Sequence, residues 1–186
     1  MTTPLIKFDG INVRLIEEND DIKMSDYYQK NITHLKKWEP TRDEIYLTQT
    51  GWKQVIANTQ QLQTHGMYFS FVIEDVKTKV VVGVINYYNI IKFPFHSCHV
   101  GYSLDKSYQG KAIMRQALHA TNQWMFSEQG IHRIMAAYMP DNKQSAKVLN
   151  TTGFKSEGIA RSYILINGQW EDHILMTLIN PHPQTN

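Results

Sequence analysis

The chain has almost no cysteine: Cys98 stands alone among 186 residues. No internal disulfide is possible, and a reducing compartment is expected. Long apolar runs are missing too, since none approaches the roughly 18 residues that a membrane span needs. The opening Met1-Thr2-Thr3-Pro4-Leu5 lacks the basic and apolar regions of a secretory signal. The cytoplasm is therefore the expected location, with no membrane partner. Neither sign of charge is in excess: 19 Lys and Arg face 17 Asp and Glu, a net of +2. That balance argues against nonspecific nucleic-acid binding, which needs a strongly basic domain, but it leaves room for a locally basic pocket. The phosphate loops Gly-x-x-x-x-Gly-Lys-Ser/Thr and Gly-x-Gly-x-x-Gly do not occur. His96-Ser97-Cys98-His99 gathers metal-ligand residue types, yet adjacent strand residues point to opposite faces and no second ligand pair stands nearby. No metal is expected, and Cys98, as a buried strand cysteine, is expected to be inert.

What remains is an ordinary globular composition, 42% hydrophobic and 19% charged, in a chain long enough to bury its own core. One domain is expected over residues 1–186, with its core at about 11–179 and a loose tail at 180–186. Val13 to Ile16 reads as a first strand and Asn19-Asp20 as a helix start. Ile22 to Lys37 suggests one or two helices, stopped by Trp38-Glu39-Pro40. A polar linker from Thr41 to Thr50 leads into a helix from about Trp52 to Thr64. Met67 to Glu74 and Val80 to Asn89 then form an antiparallel hairpin, and His99 to Leu104 a fourth strand. After it come a helix from Ile113, a strand from Arg133 to Tyr138, and a further helix. A capping box from Asp141 to Gln144 should open that helix and Gly153 should close it. Asn167-Gly168, the strongest hairpin signal, joins the runs Phe154 to Ile166 and Gln169 to Leu178. Hairpins and helical crossovers alternate, which predicts an α/β (α+β) domain with a mixed sheet.

The most telling stretch is Gln109-Gly110-Lys111-Ala112-Ile113-Met114-Arg115, between the fourth strand and the helix after it. Ile113, Ala117, Ala120 and Trp124 recur there at helical spacing. A short loop entering a helix N-terminus exposes unpaired backbone N–H groups beside the positive end of the helix dipole, which suits a phosphate or pyrophosphate. Gly110 lets the backbone approach closely, and Lys111 and Arg115 supply positive charge. Taken alone, the same residues also fit an ordinary turn.

This order of elements, with a Gln-Gly-Lys-x loop after the fourth strand, resembles the GNAT (Gcn5-related) N-acetyltransferase superfamily from about Val13 to Leu178. His34-Leu35-Lys36-Lys37-Trp38-Glu39-Pro40, Gly101-Tyr102-Ser103-Leu104, Asn142-Lys143-Gln144-Ser145 and Gly153-Phe154 narrow the resemblance to the Rim-type branch, which acetylates protein N-termini. His132-Arg133-Ile134-Met135-Ala136 and Ile166-Asn167-Gly168-Gln169-Trp170 are most similar to its RimJ-like ribosomal-protein alanine N-acetyltransferases. The resemblance implies the GNAT fold, a largely antiparallel twisted sheet flanked by helices. It also implies acetyl-CoA as cosubstrate and direct transfer to an amine without a covalent enzyme intermediate. The superfamily loop reads Gln/Arg-x-x-Gly-x-Gly/Ala. Gln109 matches it, whereas Ala112 stands where glycine is usual and Met114 where glycine or alanine is usual. Left-handed backbone at Ala112 would cost roughly 1–2 kcal/mol. The residue is therefore expected to have entered the right-handed helix already, where its methyl group costs little.

On this resemblance the pyrophosphate falls to Gln109, Gly110, Lys111, Ala112, Ile113, Met114 and Arg115. The thioester oxygen falls to backbone N–H groups near Ser103 and Leu104. Ser145 is expected to assist the leaving thiolate and Asn142 to contact the cofactor, with helix capping the alternative for both. A peptide α-amine has a pKa of about 7.7–8.0, so a modest carboxylate suffices as base. Asp172 is the first candidate and Glu74 the second, with a structural ion pair the alternative for Asp172. His34 and Trp38, with the linker from Thr41 to Thr50, are expected to form one wall of the acceptor cleft. The expected partner is a protein N-terminus, in particular that of a ribosomal protein beginning with alanine. Two alternatives stand beside it: acetylation of a small-molecule amine or polyamine, and a non-catalytic acetyl-CoA-binding module associated with the ribosome. Monomer and dimer are both open.

Overall fold

The computed structural model describes residues 5–182. Strands β1 (Leu5–Phe8) and β2 (Ile11–Leu15) form a hairpin that turns on Asp9 and Gly10, both at positive φ. Helices α1 (Asp21–Leu35) and α2 (Gln49–Thr64) follow, then strands β3 (Phe69–Asp75), β4 (Val81–Ile91) and β5 (Ser97–Leu104). The second half runs α3 (Ile113–Gln129), β6 (Arg133–Tyr138), α4 (Lys143–Thr151), and the long hairpin β7 (Lys155–Ile166) and β8 (Gln169–Ile179). The strands make one eight-stranded sheet in the order β1-β2-β3-β4-β5-β6-β8-β7. Every neighbour pair is antiparallel except β5–β6. This is the mixed, largely antiparallel sheet flanked by helices that the sequence predicts.

The two-residue alternation of the central strands explains the layering. Phe69, Phe71 and Ile73 of β3 join Ile85 and Tyr87 of β4 in a core with Ala117, Leu118 and Met125 of α3. Trp124 closes that layer, its ring 5.0 Å from Phe69 and 5.5 Å from Phe71 in edge-on contacts. Val72 and Val84 face the other way, onto Met24 and Tyr28 of α1 and Trp52 and Ile56 of α2. Each fully buried large side chain contributes about 1.5–3 kcal/mol. The one polar group this core must accommodate at Tyr87 is satisfied, since its hydroxyl lies 2.9 Å from Thr121 Oγ1 and 2.7 Å from Asn122 Oδ1. The linker between α1 and α2 carries a short 3-10 turn, Glu44–Leu47, pressed against the start of α2. Gly51 permits this, because a Cβ there would lie 2.1 Å from the Ile45 carbonyl oxygen.

Four details differ from the sequence expectation. Strand β1 is a largely exposed edge strand, held by pairing to β2, and its short pattern carries little periodicity of its own. The N-cap of α4 is Asn142, whose side chain accepts from Ser145 N–H, so Asp141 lies one residue outside the helix. The linker expected to be plain coil contains the 3-10 turn, and α2 starts at Gln49 with Thr48 as its cap. Asn180, placed in the loose tail, is buried and donates its N–H to the His132 carbonyl at 2.8 Å. Residues 183–186 of that tail lie outside the described residues. The Asn167-Gly168 turn has both residues at positive φ, 49° and 83°, as a two-residue hairpin requires.

Candidate active site

Strands β5 and β6 pair only at Ser97–Arg133, Cys98–Ile134 and His99–Met135. Beyond that point β5 continues along β4 to Leu104, and β6 continues along β8 to Tyr138. The sheet therefore splays into a wedge, and from Val100 to Leu104 the edge of β5 that faces β6 has no strand partner among the described residues. Side chains alternate about this edge. Cys98, Val100 and Tyr102 face the α3 core, whereas Ser103 faces α1.

A stripe of α1 at helical spacing holds the end of β5 and the loop after it. Tyr27 donates its hydroxyl to Ser103 Oγ at 3.0 Å, Lys30 Nζ lies 2.6 Å from the Asp105 carboxylate, and Asn31 Nδ2 donates to Asp105 at 3.3 Å. Gln109 Nε2 donates to His34 Nε2 at 2.9 Å, which requires that ring nitrogen to be unprotonated. Burial alone would raise the Asp105 carboxyl, but hydrogen bonds from Lys30, Ser107 and Asn31 outweigh it and hold the group at about 2. His34, expected on the acceptor wall, thus braces the loop at Gln109. Trp38 lies half-buried just beyond α1, with Lys37 Nζ 4.4 Å above its ring.

The loop itself corrects one expectation. Ala112 is left-handed, at φ 58° and ψ 6°, and serves as the N-cap of α3. The physical reason lies in the next two residues. Ile113 and Met114 must enter the core at once, 6% and 5% exposed, so the chain turns its corner at Ala112 instead of one residue earlier. The strain is about 1–2 kcal/mol. Gly110 is also at positive φ, 76°, and Lys111 between them is not. Such alternation curls successive N–H groups toward one concave point. Among the described residues the backbone N–H groups from Gly110 through Arg115 meet no acceptor. Ile113 and Met114 are expected site residues whose side chains are core, so only their amides remain for a ligand. Lys111 and Arg115 are exposed, and Lys111 Nζ stands 4.9 Å above the Tyr108 ring.

Ser145 comes to the wedge from the first turn of α4. Its hydroxyl lies 2.9 Å from the Tyr102 hydroxyl, while its N–H donates to Asn142 Oδ1 at 3.0 Å. Burial pushes the Tyr102 phenol well up, so it stays protonated. Tyr102 escapes sequence reasoning because a tyrosine on an apolar strand reads as core.

The two carboxylates expected as bases are engaged elsewhere. Asp172 accepts the Ser162 N–H at 2.9 Å and pairs with Arg161, contacts that hold it below the usual carboxylate range. It secures the irregular stretch of β7 where Ser162 is at φ 48°, the structural ion pair that the sequence offers as the alternative to its role as base. Glu74, on β3 and two strands from the wedge, is buried beside Lys23 at 2.6 Å and Arg14 at 3.8 Å.

On the α1/α2 face lies a cavity of about 260 Å³ lined by Tyr28, Arg42, Tyr46, Tyr68, Ser70 and Asn86 among others. The Arg42 guanidinium sits 4.6 Å above the Tyr28 ring and 5.2 Å above Tyr46, and pairs with Glu39 at 2.7 Å. The tip of the β7–β8 hairpin reaches this side as well. Asn167 accepts from Thr41 Oγ1 at 2.9 Å and donates to the Lys36 carbonyl, tying the hairpin to the linker. Arg42 and Tyr46 of the linker line this cavity, and Tyr28 and Tyr68 reach it from separate elements.

A sequence model of the acetyltransferase (GNAT) domain family matches residues 11–155. The chain belongs to the GNAT acetyltransferase family. It is 42% identical over 173 residues to the ribosomal protein uS5-alanine N-acetyltransferase of Escherichia coli (strain K12), an alignment that covers 93% of this chain and 89% of that protein. The crystal structure of ribosomal-protein-S5-alanine acetyltransferase from Vibrio fischeri is similar at a TM-score of 0.96 and 46% identity, covering 98% of this chain and 100% of that one. RimJ of Mycobacterium smegmatis, in complex with a CoA-disulfide, gives a TM-score of 0.87 at 26% identity, covering 97% of this chain and 90% of that one. The GNAT family match stops at residue 155, ahead of most of the β7–β8 hairpin. The RimJ-type neighbours extend over most of that remainder, in agreement with the resemblance carried by Ile166-Asn167-Gly168-Gln169-Trp170.

Proposed function

We propose that this GNAT chain transfers the acetyl group of acetyl-CoA to the N-terminal α-amine of a ribosomal protein beginning with alanine, in the cytoplasm, and that residues 11–179 work as one N-acetyltransferase domain. The observation that carries the donor half of this reading is the run of free amides from Gly110 to Arg115, set beside the unpaired edge of β5. The acceptor half rests on the likeness to the uS5-alanine enzymes.

Acetyl-CoA would supply a thioester activated for attack by an amine. The amides from Gly110 to Arg115 would hold its pyrophosphate, with Lys111 and Arg115 adding charge and Gln109, braced by His34, framing the loop. N–H groups of the β5 edge near Ser103 and Leu104 would line up the donor and stabilise negative charge on the thioester oxygen. The Tyr102–Ser145 pair would pass a proton to the departing thiol, whose ordinary pKa is about 8.5. Asn142 fixes the start of α4 and so the place of Ser145. An α-amine with a pKa of about 7.7–8.0 is already partly neutral near pH 7.5, so the site needs less basicity than a lysine acceptor would demand. The cavity beside Arg42 would receive the first residues of the acceptor.

The test is CoA release with three acceptors: peptides beginning with alanine, free polyamines, and none. Transfer to the alanine peptides supports the proposal. Transfer confined to polyamines, or binding of acetyl-CoA without any turnover, rejects it.

A further inference from the structure

With Asp172 and Glu74 engaged in ion pairs, neither expected carboxylate is free to take the proton of an attacking amine. We infer that His99, at the vertex of the β5–β6 wedge, takes the proton of the acceptor α-amine. The inference rests on the N-acetyltransferase reading above.

The placement is the first argument. His99 sits on the last rung, opposite Met135, before β5 and β6 part. Strand alternation puts its side chain on the same face as Ser103, which touches α1, and opposite to Tyr102, which touches α4. The proton acceptor and the proton donor therefore lie on opposite faces of one strand. An amine entering from the α1/α2 face would meet His99, and a thiol leaving along the other face would meet Tyr102 and Ser145.

The second argument is the state of the ring. His99 is half-buried and stacked on Tyr88, 5.7 Å between centroids and 21° between planes. Its Nδ1 is buried without a hydrogen-bond partner, so exchange with the cleft runs through Nε2. A neutral imidazole offers one accepting nitrogen, and burial lowers the proton affinity of His99 below its ordinary value, which keeps the ring neutral near pH 7. The titratable groups facing it are Tyr88 on β4 and, beyond it, Tyr163 on β7, which adds to the burial that raises Tyr88. Cys98, its chain neighbour, points into the α3 core. Among the described residues no charged side chain is paired to His99.

Every proton in the step has a destination. The acceptor nitrogen bonds to the carbonyl carbon as the carbon–sulfur bond breaks. The proton lost from nitrogen goes to His99 Nε2, directly or through one water, and the departing sulfur takes a proton from the Tyr102–Ser145 hydroxyls. His99 then returns its proton to solvent, and the hydroxyl pair regains one from solvent.

Two measurements test this. In the native protein, log(kcat/KM) for an alanine-starting peptide should rise with a slope of about two at low pH, one proton from the amine and one from His99. His99→Gln and His99→Phe should each leave a slope of about one and lower kcat/KM at pH 7 about 10- to 100-fold. His99→Phe keeps an aromatic ring against Tyr88, so native kinetics in that variant would overturn the inference and leave His99 a packing residue. Independently of turnover, the His99 ring resonance of the native protein without acetyl-CoA should titrate below pH 6.5. It should also shift with the alanine peptide but not with its N-acetylated form. A ring resonance indifferent to both peptides would overturn the assignment even if the variants misfold. Transfer that proceeds in His99→Gln with the native slope overturns only the role of His99, whereas a native protein that transfers to no peptide overturns the functional reading itself.

Discussion

On the function proposed above, the donor and acceptor sides of the site are built from different materials. The donor side is backbone: the amides of Gly110 to Arg115 and the free edge of β5, while the side chains of Ile113 and Met114 are spent on the core. The acceptor side would be side chain: Tyr28, Arg42, Tyr46 and Tyr68 line one cavity from α1, the linker and the approach to β3, and Tyr88 of β4 stacks on His99 of β5. A backbone site is sensitive to torsion angles and tolerant of side-chain identity. A side-chain site is the reverse. One helix serves both, since α1 braces the donor loop through Lys30, Asn31 and His34 and lines the acceptor cavity through Tyr28.

Ser145 is where the contrast is most exposed, because its N–H belongs to a helix cap and its hydroxyl faces Tyr102. Ser145→Ala should lower kcat about 10- to 100-fold while acetyl-CoA affinity changes less than about twofold. An equal loss in both would turn it into a binding residue. Next comes the brace. The folded Asp105 carboxyl is held at about 2, below its unfolded value near 3.9, so its stabilisation is complete above about pH 4 and fades as pH falls toward 2. Asp105→Asn should cost on the order of 2 kcal/mol near neutrality and flatten the acid limb of a stability-against-pH curve. An unchanged thermal midpoint would show that the Lys30 pair contributes nothing.

At Gly110, nothing lies within 4 Å of the point where a Cβ would stand, so any penalty there comes from φ and not from collision. Gly110→Val should weaken acetyl-CoA binding about tenfold by calorimetry, since a β-branched residue resists left-handed backbone. Lys111→Ala should weaken it only about two- to threefold, the size of one exposed charge. The opposite order would mean that the donor site is held by charge. Smaller again, Ala112→Gly relieves left-handed strain of about 1–2 kcal/mol but adds about 0.5–1 kcal/mol of unfolded-chain freedom. The net gain is at most about 1.5 kcal/mol, so the thermal midpoint should rise by no more than about 6 °C. A fall would mean that the alanine methyl has found useful packing. Least of all, Asp172→Asn should leave the pH–rate profile superimposable on the native one, because Arg161 and Ser162 already occupy that carboxylate. Loss of the acid limb would restore it as the base and remove His99.

Much of the architecture is legible in the residues themselves. The positions of α1, α3, β6 and the β7–β8 turn follow from periodicity, Asn167-Gly168 and the glycine at the end of α4, because local sequence dictates local torsion. The Gln109–Arg115 loop is legible as a turn into α3 for the same reason. Ala112 misleads because its helical propensity points one way and the burial of Ile113 and Met114 the other, and burial decides. Asp172 misleads because a carboxylate in a strand carries no mark of its partner eleven positions away in the facing strand. His99 and Tyr102 stay hidden because a histidine and a tyrosine on one strand look like any others until the sheet opens beside them.

The sequence by itself determined the fold and the family, since these depend on short-range spacing and on which residues seek the core. Only the tertiary structure decided which titratable groups are free. The splaying of β5 from β6 beyond His99 leaves His99 and Tyr102 on opposite faces of one strand beside the gap, and the pairing of distant side chains ties up Asp172 and Glu74. A side chain's proton affinity and availability are set by neighbours far away in the chain, and those neighbours exist only once the sheet has closed.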